Sequence, residues 1–323
     1  MISNSKREIA GIVKSAAVRA GFDLVGLSKA ARLDTGAVRL REWLDRGYHS
    51  GMNWMADKFE KRVDPGKVLD GAKSIVSLSR NYYTPADHSP DAAKISRYAW
   101  GTDYHLVIGK MLKRFVGELA GEFPGYNFLS YCDTGPVMDK VWAQRAGIGW
   151  IGKHTNVINE NSGSWFFLAE VITDLECDYD VPAKDHCGSC RKCIDACPTG
   201  AIVEPYVLDA NRCISYLTIE NREPEIAPEL ASEFQNWVFG CDICQDVCPW
   251  NEKFQMPTSE EGFFPREDIQ NLTLDQIHLM SREDFAERFK NSPVKRARHE
   301  GLVRNAGAIM NRAAESTRKE KGK

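Results

Sequence analysis

Eight of the ten cysteines fall within 62 residues, from Cys187 to Cys248, and this cluster constrains the chain more than any other feature. It opens with a C-x2-C-x2-C-x3-C-P motif that runs from Cys187 to Pro198. Three thiols at every third residue can bind one iron–sulfur cube, while the fourth cysteine of this motif binds the other cube in two-cluster ferredoxins. The motif therefore predicts metal clusters bound by thiolates.

A second, incomplete copy of the motif ends at Cys248-Pro249, and Cys213 supplies its missing thiol. Structural zinc is the alternative, but zinc sites usually consist of paired C-x2-C units without this spacing. We therefore predict two [4Fe-4S] clusters with a crossed assignment. The first would be bound by Cys187, Cys190, Cys193 and Cys248, and the second by Cys197, Cys213, Cys241 and Cys244. The two remaining cysteines, Cys132 and Cys177, are predicted to be buried structural thiols.

The N-terminal thirty residues contain no continuous apolar core, no twin arginine and no signal-peptidase site. No segment approaches the roughly 20 apolar residues needed to cross a bilayer. We expect a cytoplasmic protein without a membrane segment. In a reducing compartment, clustered thiols bind metal more often than they form disulfides.

The length of 323 residues corresponds to about two domains or slightly more. Hydrophobic periodicity predicts alternating helices and strands up to about residue 175, including a strand pair at 156–158 and 164–173. The fold class is therefore an α/β (α+β) domain followed by a ferredoxin-like double-cluster module and a short α-helical C-terminal region. The expected boundaries are residues 1–177, 178–255 and 256–323.

The formal net charge of −3 conceals a polarised chain. Residues 288–323 contain eleven Lys or Arg against three Glu, a net charge of about +8. Two interpretations stay open for this basic tail. It is either a solvated terminal helix or a surface that contacts a polyanion.

Several longer motifs resemble one known family. They are Tyr131-Cys-Asp-Thr-Gly-Pro-Val-Met-Asp-Lys140, the run from Arg145 to Asn156, Ile95-Ser-Arg-Tyr-Ala-Trp-Gly-Thr-Asp-Tyr-His105 and Cys248-Pro-Trp-Asn251. Together with the double-cluster module they are similar to epoxyqueuosine reductases, which complete queuosine synthesis in bacterial tRNA. The resemblance extends over residues 5–255 in a consistent order. Many members continue into HEAT-type helical repeats, of which this sequence contains only the opening, residues 298–312.

The resemblance implies a reductase that binds base-off cobalamin and acts on the wobble position of a tRNA anticodon. The two clusters would pass electrons to cobalamin from an external flavodoxin- or ferredoxin-type donor. Asp133 would donate the proton that the departing epoxide oxygen requires. The alternative is that Asp133 or Thr134 only caps the helix predicted from Pro136.

The family-like motifs also suggest residues that contact the cofactor and the tRNA. The cobalamin candidates are Ser96, Arg97, Lys153, His154, Ser215 and Asp242, although ordinary loop contacts would also explain each of them. We reject His105 as a cobalt ligand because the D-x-H-x-x-G signature is not matched and His105 begins a helical pattern. The tRNA candidates are Arg222, Lys295, Arg296, Arg298 and Arg304.

Two other functions stay open at this point. A corrinoid reductive dehalogenase shares both cofactors but normally carries an export signal. A two-cluster electron carrier would use the front domain only to dock a partner. We expect a monomer in each case.

Overall fold

The computed structural model describes the backbone of residues 5–321 and the side chains of residues 5–311. The helices are α1 (Lys6–Ala20), α2 (Asp34–Asp45), α3 (Phe59–Val63), α4 (Tyr104–Glu122), α5 (Asp139–Arg145), α6 (Lys192–Ala196), α7 (Ile214–Ile219), α8 (Pro228–Ala231), α9 (Ile243–Asp246), α10 (Pro249–Phe254), α11 (Glu267–Gln270), α12 (Leu274–His278), α13 (Arg282–Arg288) and α14 (Arg298–Lys321). The strands are β1 (Leu24–Lys29), β2 (Ser74–Asn81), β3 (Lys94–Ile95), β4 (Phe128–Tyr131), β5 (Trp150–Ile151), β6 (Val157–Ile158), β7 (Phe166–Thr173), β8 (Ile202–Glu204), β9 (Val207–Leu208) and β10 (Trp237–Phe239).

A four-stranded antiparallel sheet in the order β1-β2-β7-β4 forms the centre of the front domain. Helices α1 and α4 cover one face, and their apolar side chains form one core with alternate residues of the strands. Helix α5 packs on the other face against β1, β2 and β7. The domain is therefore of the α+β type, with a helical layer on each face of the sheet.

Local sequence signals explain where the first helix begins. The side chain of Ser5 accepts the backbone N–H of Glu8, and the Glu8 carboxylate accepts the backbone N–H of Ser5 at 2.7 Å. This reciprocal capping places Ser5 just outside the helix. The helix ends at Gly21, whose φ of 106° lies in the left-handed region.

The predicted strand pair at 156–158 and 164–173 is wrong. Strand β6 pairs with β5, whereas β7 lies inside the main sheet between β2 and β4. The side chain of Asn159 donates to the carbonyl of Ile148 at 2.6 Å, and Asn159 and Gly163 form an isolated bridge. These contacts direct the chain away from β6 before β7 begins.

A second hydrophobic core joins segments that are far apart in sequence. Ile95 and Trp100 pack there with Phe239 from the cysteine-rich part and with Leu302 from α14. Strand β3 also pairs in parallel with β10. A piece of the front domain therefore completes the core of the C-terminal half. The predicted division at residues 177 and 255 separates side chains that pack together.

The segment at 178–185, which has the composition of a linker, is fixed to the front domain. Its backbone N–H groups at Asp178 and Asp180 donate to the carbonyls of Lys6 and Leu27. The Asp180 carboxylate also accepts from the Lys14 ammonium at 2.5 Å. No helix within the described part of the chain is both long enough and apolar enough to span a bilayer.

Strand β1 lies unusually close to α5 at Gly26. A Cβ atom placed on Gly26 would lie 2.0 Å from the carbonyl oxygen of Ala146. We expect Gly26→Ala to lower the free energy of unfolding by about 1–3 kcal/mol, because the helix must move away from the sheet. Thermal unfolding measures this loss. Gly109→Ala in α4 is the control, since no neighbouring atom lies within 4 Å of that Cβ and alanine favours the helix. Equal effects of the two substitutions would contradict the packing argument.

Candidate active site

The first cysteine group consists of Cys187, Cys190, Cys193 and Cys248, which line one small cavity. Burial, followed by the charges of the other three thiols, raises the pKa of Cys193 to about 11. Cys190 is exposed, whereas the other thiols of the group are buried or half-buried. The structure thus brings together the four side chains that the sequence assigns to one cluster.

The second group contains Cys197, Cys213, Cys241 and Cys244. Burial raises the pKa of Cys244 well above its ordinary value, and nearby thiols, among them Cys213 and Cys197, add to this increase. The Cys244 thiol contributes in the same way at Cys241. The four thiols therefore lie close enough to influence one another electrostatically.

The crossed arrangement follows from two short helices. Helix α6 contains Cys193 and is followed by Cys197, while α9 contains Cys244 and is followed by Cys248. The two helices pack against each other. The thiol within each helix and the thiol after it consequently fall into different groups.

The chemistry of both groups fits [4Fe-4S] clusters, which are bound by four cysteine thiolates each. No three Cys, His, Asp or Glu side chains among the described residues converge as the ligands of a single metal ion do. The backbone N–H of Ala201 donates to the sulfur of Cys197 at 3.3 Å. Such hydrogen bonds to the ligand sulfur tune the potential of a cluster.

Lys153 and His154 lie beside the first cysteine group. The Lys153 ammonium donates to the carbonyls of Gly188 at 2.6 Å and Cys190 at 2.8 Å, so it holds the loop that carries the first thiols. Burial lowers the pKa of His154 to about 4, and its Nδ1 accepts the backbone N–H of Asn156. Both side chains line the small cavity. Their role as cobalamin contacts stays a prediction.

A much larger cavity, of about 1020 Å³, lies between the front domain and the cysteine-rich part. Small-molecule sites typically measure roughly 300–1,000 Å³, so this cavity suits a ligand at or above the upper end of that range. Much of its wall is apolar and aromatic, formed by Trp43, Met52, Trp54, Tyr98, Tyr104, Leu208, Tyr216 and Ile219. The polar residues among its lining include Asp133, Lys140, Ser215 and Lys295.

Asp133 projects from the loop between β4 and α5 into this cavity. Its φ of 61° lies in the left-handed region, which is uncommon outside glycine and often marks a functional constraint. The side chain is 63% exposed and accepts the hydroxyl of Tyr104 at 2.5 Å. Helix α5 begins only at Asp139, after Met138. The alternative that Asp133 or Thr134 caps this helix is therefore wrong.

The first residues of α4 hold the Asp133 carboxylate. Tyr104 is stacked between Phe167 and His105, with ring centroids 4.4 and 4.1 Å apart. Burial, followed by the charge of Asp133, raises the pKa of Tyr104, so that the phenol remains a hydrogen-bond donor. His105 Nε2 lies 3.8 Å from the Asp133 carboxylate. These two residues fix the position of the acid.

His105 lies in the first turn of α4, in agreement with the helical pattern in the sequence. Asp103 is the N-cap residue, and its carboxylate accepts both the backbone N–H and Nδ1 of His105. This hydrogen bond is the main cause of the raised pKa of His105. Since Nδ1 bonds to Asp103 and Nε2 faces Asp133, the ring is oriented by carboxylates on both sides.

The large cavity also reaches the second cysteine group, because Cys213 is part of its wall. Lys140 lines the same cavity, and its ammonium donates to the side-chain oxygen of Asn156 at 2.9 Å. Burial lowers the pKa of Lys140, and the charges of Cys244, Asp139, Asp133 and Cys213, in decreasing order, oppose this shift. A candidate proton donor and a candidate cluster ligand therefore share one cavity.

Three further cofactor candidates, Ser96, Arg97 and Asp242, are in contact where the front domain packs against the cysteine-rich part. The Asp242 carboxylate accepts the Ser96 hydroxyl and, at 2.7 Å, the backbone N–H of Arg97. The Arg97 guanidinium donates to the carbonyls of Thr84 and Ala86. Ser215 is the one predicted cofactor residue among the described lining of the large cavity. The contact of all four with cobalamin stays a prediction.

Three of the five predicted tRNA residues, Arg222, Arg304 and Arg296, already bond to other groups of the protein. Arg222 and Arg304 donate to backbone carbonyls that include those of Ile219 and Leu217, so their guanidinium groups already connect α7 to its surroundings. Arg296 is paired with Glu220 at 2.6 Å. The others, Lys295 and Arg298, are exposed, and both Lys295 and Arg296 line the large cavity. The side chains of the basic tail beyond residue 311 lie outside the described residues.

Sequence reasoning missed Tyr104 and Lys140 as site residues. Both lie within the family-like motifs, at Asp-Tyr-His105 and at Met-Asp-Lys140. The motif could have suggested them, but nothing local indicates that Tyr104 reaches a carboxylate 29 residues away. Trp43 and Trp54, which help to form the apolar wall, carry no comparable signal.

Two family models match the chain. Residues 186–251 match a 4Fe-4S double cluster binding domain. Residues 62–134 match a model described as epoxyqueuosine reductase QueG. The two matches cover the cysteine groups and the part of the front domain that ends just after Asp133.

Whole-chain similarities agree with these matches. Epoxyqueuosine reductase of Leadbetterella byssophila is 48% identical over 305 residues, which cover 94% of this chain and 99% of that protein. The enzyme of Cellulophaga algicola is 46% identical over 305 residues, covering 94% and 98%. A crystal structure of an epoxyqueuosine reductase with an epoxyqueuosine-modified tRNA-Tyr stem loop matches with a TM-score of 0.85 and 33% identity, covering 94% of this chain and 81% of that one.

We expect anaerobically prepared protein to contain roughly eight iron atoms per chain, four for each cluster. Cys190→Ala and Cys244→Ala should each reduce this number by about half and change the electron paramagnetic resonance spectrum in different ways, since each removes a ligand of a different cluster. Iron analysis and spectroscopy measure both effects. Cys177→Ala is the matched control, because Cys177 is buried outside both groups. Four or fewer irons in the unmodified protein would contradict the assignment.

Proposed function

The chain belongs to the epoxyqueuosine reductase family, and from this premise we propose that it reduces epoxyqueuosine to queuosine in the anticodon of tRNA. One observation carries the proposal. Asp133, the candidate proton donor, and Cys213, a candidate cluster ligand, line the same large cavity. Family membership also favours this activity over the dehalogenase and electron-carrier alternatives.

The cavity suits cobalamin in size and in lining. Its volume of about 1020 Å³ and its aromatic wall match the requirements of a wide, largely flat macrocycle. We favour the base-off form because His105, the nearest match to a lower-ligand motif, is bound to Asp103 and faces Asp133. Ser215 and Lys140 are positioned to donate hydrogen bonds to side-chain carboxamides of the macrocycle. Bound cobalamin, once reduced, supplies the two electrons that break the carbon–oxygen bonds of the epoxide.

The side chains of this protein supply the proton and exclude competing chemistry. Oxygen leaves poorly as an alkoxide, so an acid beside the reacting bond is required. Asp133 provides that acid, and the Tyr104 hydroxyl bonded to its carboxylate fixes the direction in which the proton points. The stacked rings of Tyr104 and Phe167 leave little room for the carboxylate to turn back toward the sheet.

The two cysteine groups would hold the clusters, which would supply single electrons toward the cavity. The exposed Cys190 lies in the first group, whereas Cys213 of the second group reaches the cavity wall. We infer that a flavodoxin- or ferredoxin-type donor docks near Cys190 and that electrons leave near Cys213. The protein is expected to act as a monomer in the cytoplasm, where its tRNA substrate is found.

Basic side chains at the cavity suit the phosphates of an anticodon loop. Lys58, Lys295 and Arg296 all line the cavity, and Arg298 follows closely in sequence. A nucleotide of a single-stranded loop can be turned outward and stack on aromatic side chains while its phosphates contact cations. Trp54 and Tyr216 are aromatic residues in the same wall.

The direct test incubates the protein with a low-potential reductant, cobalamin and tRNA that contains epoxyqueuosine, and then analyses the nucleosides. Queuosine should appear only when all components are present. A protein that binds cobalamin and reduces a halogenated aromatic compound but leaves epoxyqueuosine unchanged would contradict the proposal.

Replacing Asp133 by Asn should lower the rate of turnover about 10²- to 10⁴-fold, the usual contribution of a general acid. Cobalamin binding, followed by absorbance, should be retained because the amide preserves the size of the side chain. Asp45→Asn at the exposed end of α2 provides the control and should keep its activity. An unchanged rate in the Asp133 variant would exclude Asp133 as the proton donor.

Lys295→Ala should weaken tRNA binding and reduce the slope of log K against log salt by about 0.7, the contribution of one phosphate contact to a single strand. Binding titrations at several salt concentrations measure this slope. Lys113→Ala, on an exposed face of α4, is the comparison variant. If both variants show the same slope as the unmodified protein, Lys295 does not contact phosphate.

A further inference from the structure

Two carboxyl groups near the Asp133 loop, those of Asp139 and Glu170, have no part in the mechanism described so far. Glu170 belongs to the central strand β7, and Asp139 is the first residue of α5. Glu170 is 0% exposed, and neither of its carboxyl oxygens accepts a hydrogen bond from a donor group among the described residues. A buried carboxylate without donors is costly, so this pair requires an explanation.

The sheet places Glu170 next to the loop that carries Asp133. Glu170 pairs with Tyr131, the last residue of β4, and Asp133 follows two residues later. On its other side Glu170 pairs with Ser77, whose hydroxyl is buried and has no partner among the described residues. The strand register thus directs Glu170 toward α5 and the Asp133 loop.

The charges around the pair favour one retained proton. Burial and the nearby Asp139 carboxyl raise the pKa of Glu170 well above its usual range, and the Asp133 carboxylate adds to this increase. Burial is also the main cause of the raised pKa of Asp139. The cations that face Asp139 are Lys140 and Arg62. Burial and neighbouring carboxyl groups raise the pKa of Glu170 and no cation among its described neighbours lowers it, so Glu170 and Asp139 share a proton.

The reaction needs such a proton. Removal of the epoxide oxygen breaks two carbon–oxygen bonds, forms a carbon–carbon double bond, and consumes two electrons and two protons to release water. The electrons come from the external one-electron donor of the proposed function. Asp133 holds one proton at a time, so its carboxylate must be protonated again before it can deliver the second proton.

We propose that the Asp139–Glu170 pair, in which Glu170 is buried and Asp139 is half-buried, stores a proton and returns it to Asp133 during the reaction. The first proton passes from Asp133 to the departing oxygen. The second moves from the carboxyl pair to the Asp133 carboxylate and from there to the oxygen, which leaves as water. The pair regains its proton from solvent after the product leaves. This inference rests on the proposed function, because it assigns a source to that reaction's second proton.

The test uses Glu170→Gln, which preserves size and removes the titrating group. We expect every turnover, the first included, to slow by about tenfold, less than the 10²- to 10⁴-fold loss expected without the general acid itself. Added formate or acetate buffer should restore the rate in a concentration-dependent manner. Ser77→Ala, directly opposite Glu170 in the sheet, should leave the rate and its response to buffer unchanged.

An infrared measurement tests the stored proton without any turnover. The protein with its clusters but without cobalamin should show a protonated-carboxyl band at neutral pH, and the band should be absent from Glu170→Gln and from Asp139→Asn. The Asp139 variant also serves if the Glu170 variant does not fold. An unchanged band in both variants, a normal turnover rate in Glu170→Gln, or slowing that added buffer does not relieve would overturn the inference. If the unmodified protein makes no queuosine, the proposed function fails, and the infrared band alone then decides whether the pair holds a proton.

Discussion

Asn251 connects the cysteine-rich segment to the front domain, and the relative position of the two sites depends on this contact. Its side-chain oxygen accepts the backbone N–H of Ser164 at 2.6 Å, and its amide donates to the Ser164 hydroxyl and the Gln245 carbonyl. The residue is 1% exposed. Because buried amides have few alternative partners, this connection keeps the second cysteine group at a fixed place beside the cavity. Single-electron transfer requires such a fixed distance.

Asp242 provides a second contact between the cysteine-rich segment and the front domain. Asp242 lies between Cys241 and the short helix α9 and binds Ser96 and Arg97 of the front domain. The parallel pairing of β3 with β10 brings the same segments together. Residues that the motifs suggest as cofactor contacts therefore also have an architectural role. A substitution at Ser96 or Asp242 would alter the position of the second cysteine group as well as any direct contact with a cofactor.

The sequence predicts repeated and periodic features well, because such features depend on neighbouring residues. The helix that begins near His105 and the two cysteine groups are both predicted from local spacing. The pairing of β6 with β5 and the contact between Tyr104 and Asp133 depend on tertiary packing, which spacing does not encode. The role of Asp133 as a helix cap was an attractive local interpretation, and it is wrong because the loop continues to Met138 before the helix begins.

In the proposed reaction, electrons would reach the cavity near Cys213, whereas protons would reach it through Asp133. Cys190 is exposed and Cys213 lines the cavity, while Asp133 follows β4, whose last residue pairs with Glu170. A separation between the proton donor and the clusters has a physical advantage. A carboxyl group close to a negatively charged cluster would be harder to ionise and slower to release its proton. Lys140 lines the same cavity and interacts electrostatically with Cys244, Asp133 and Cys213, so its positive charge offsets part of that interaction.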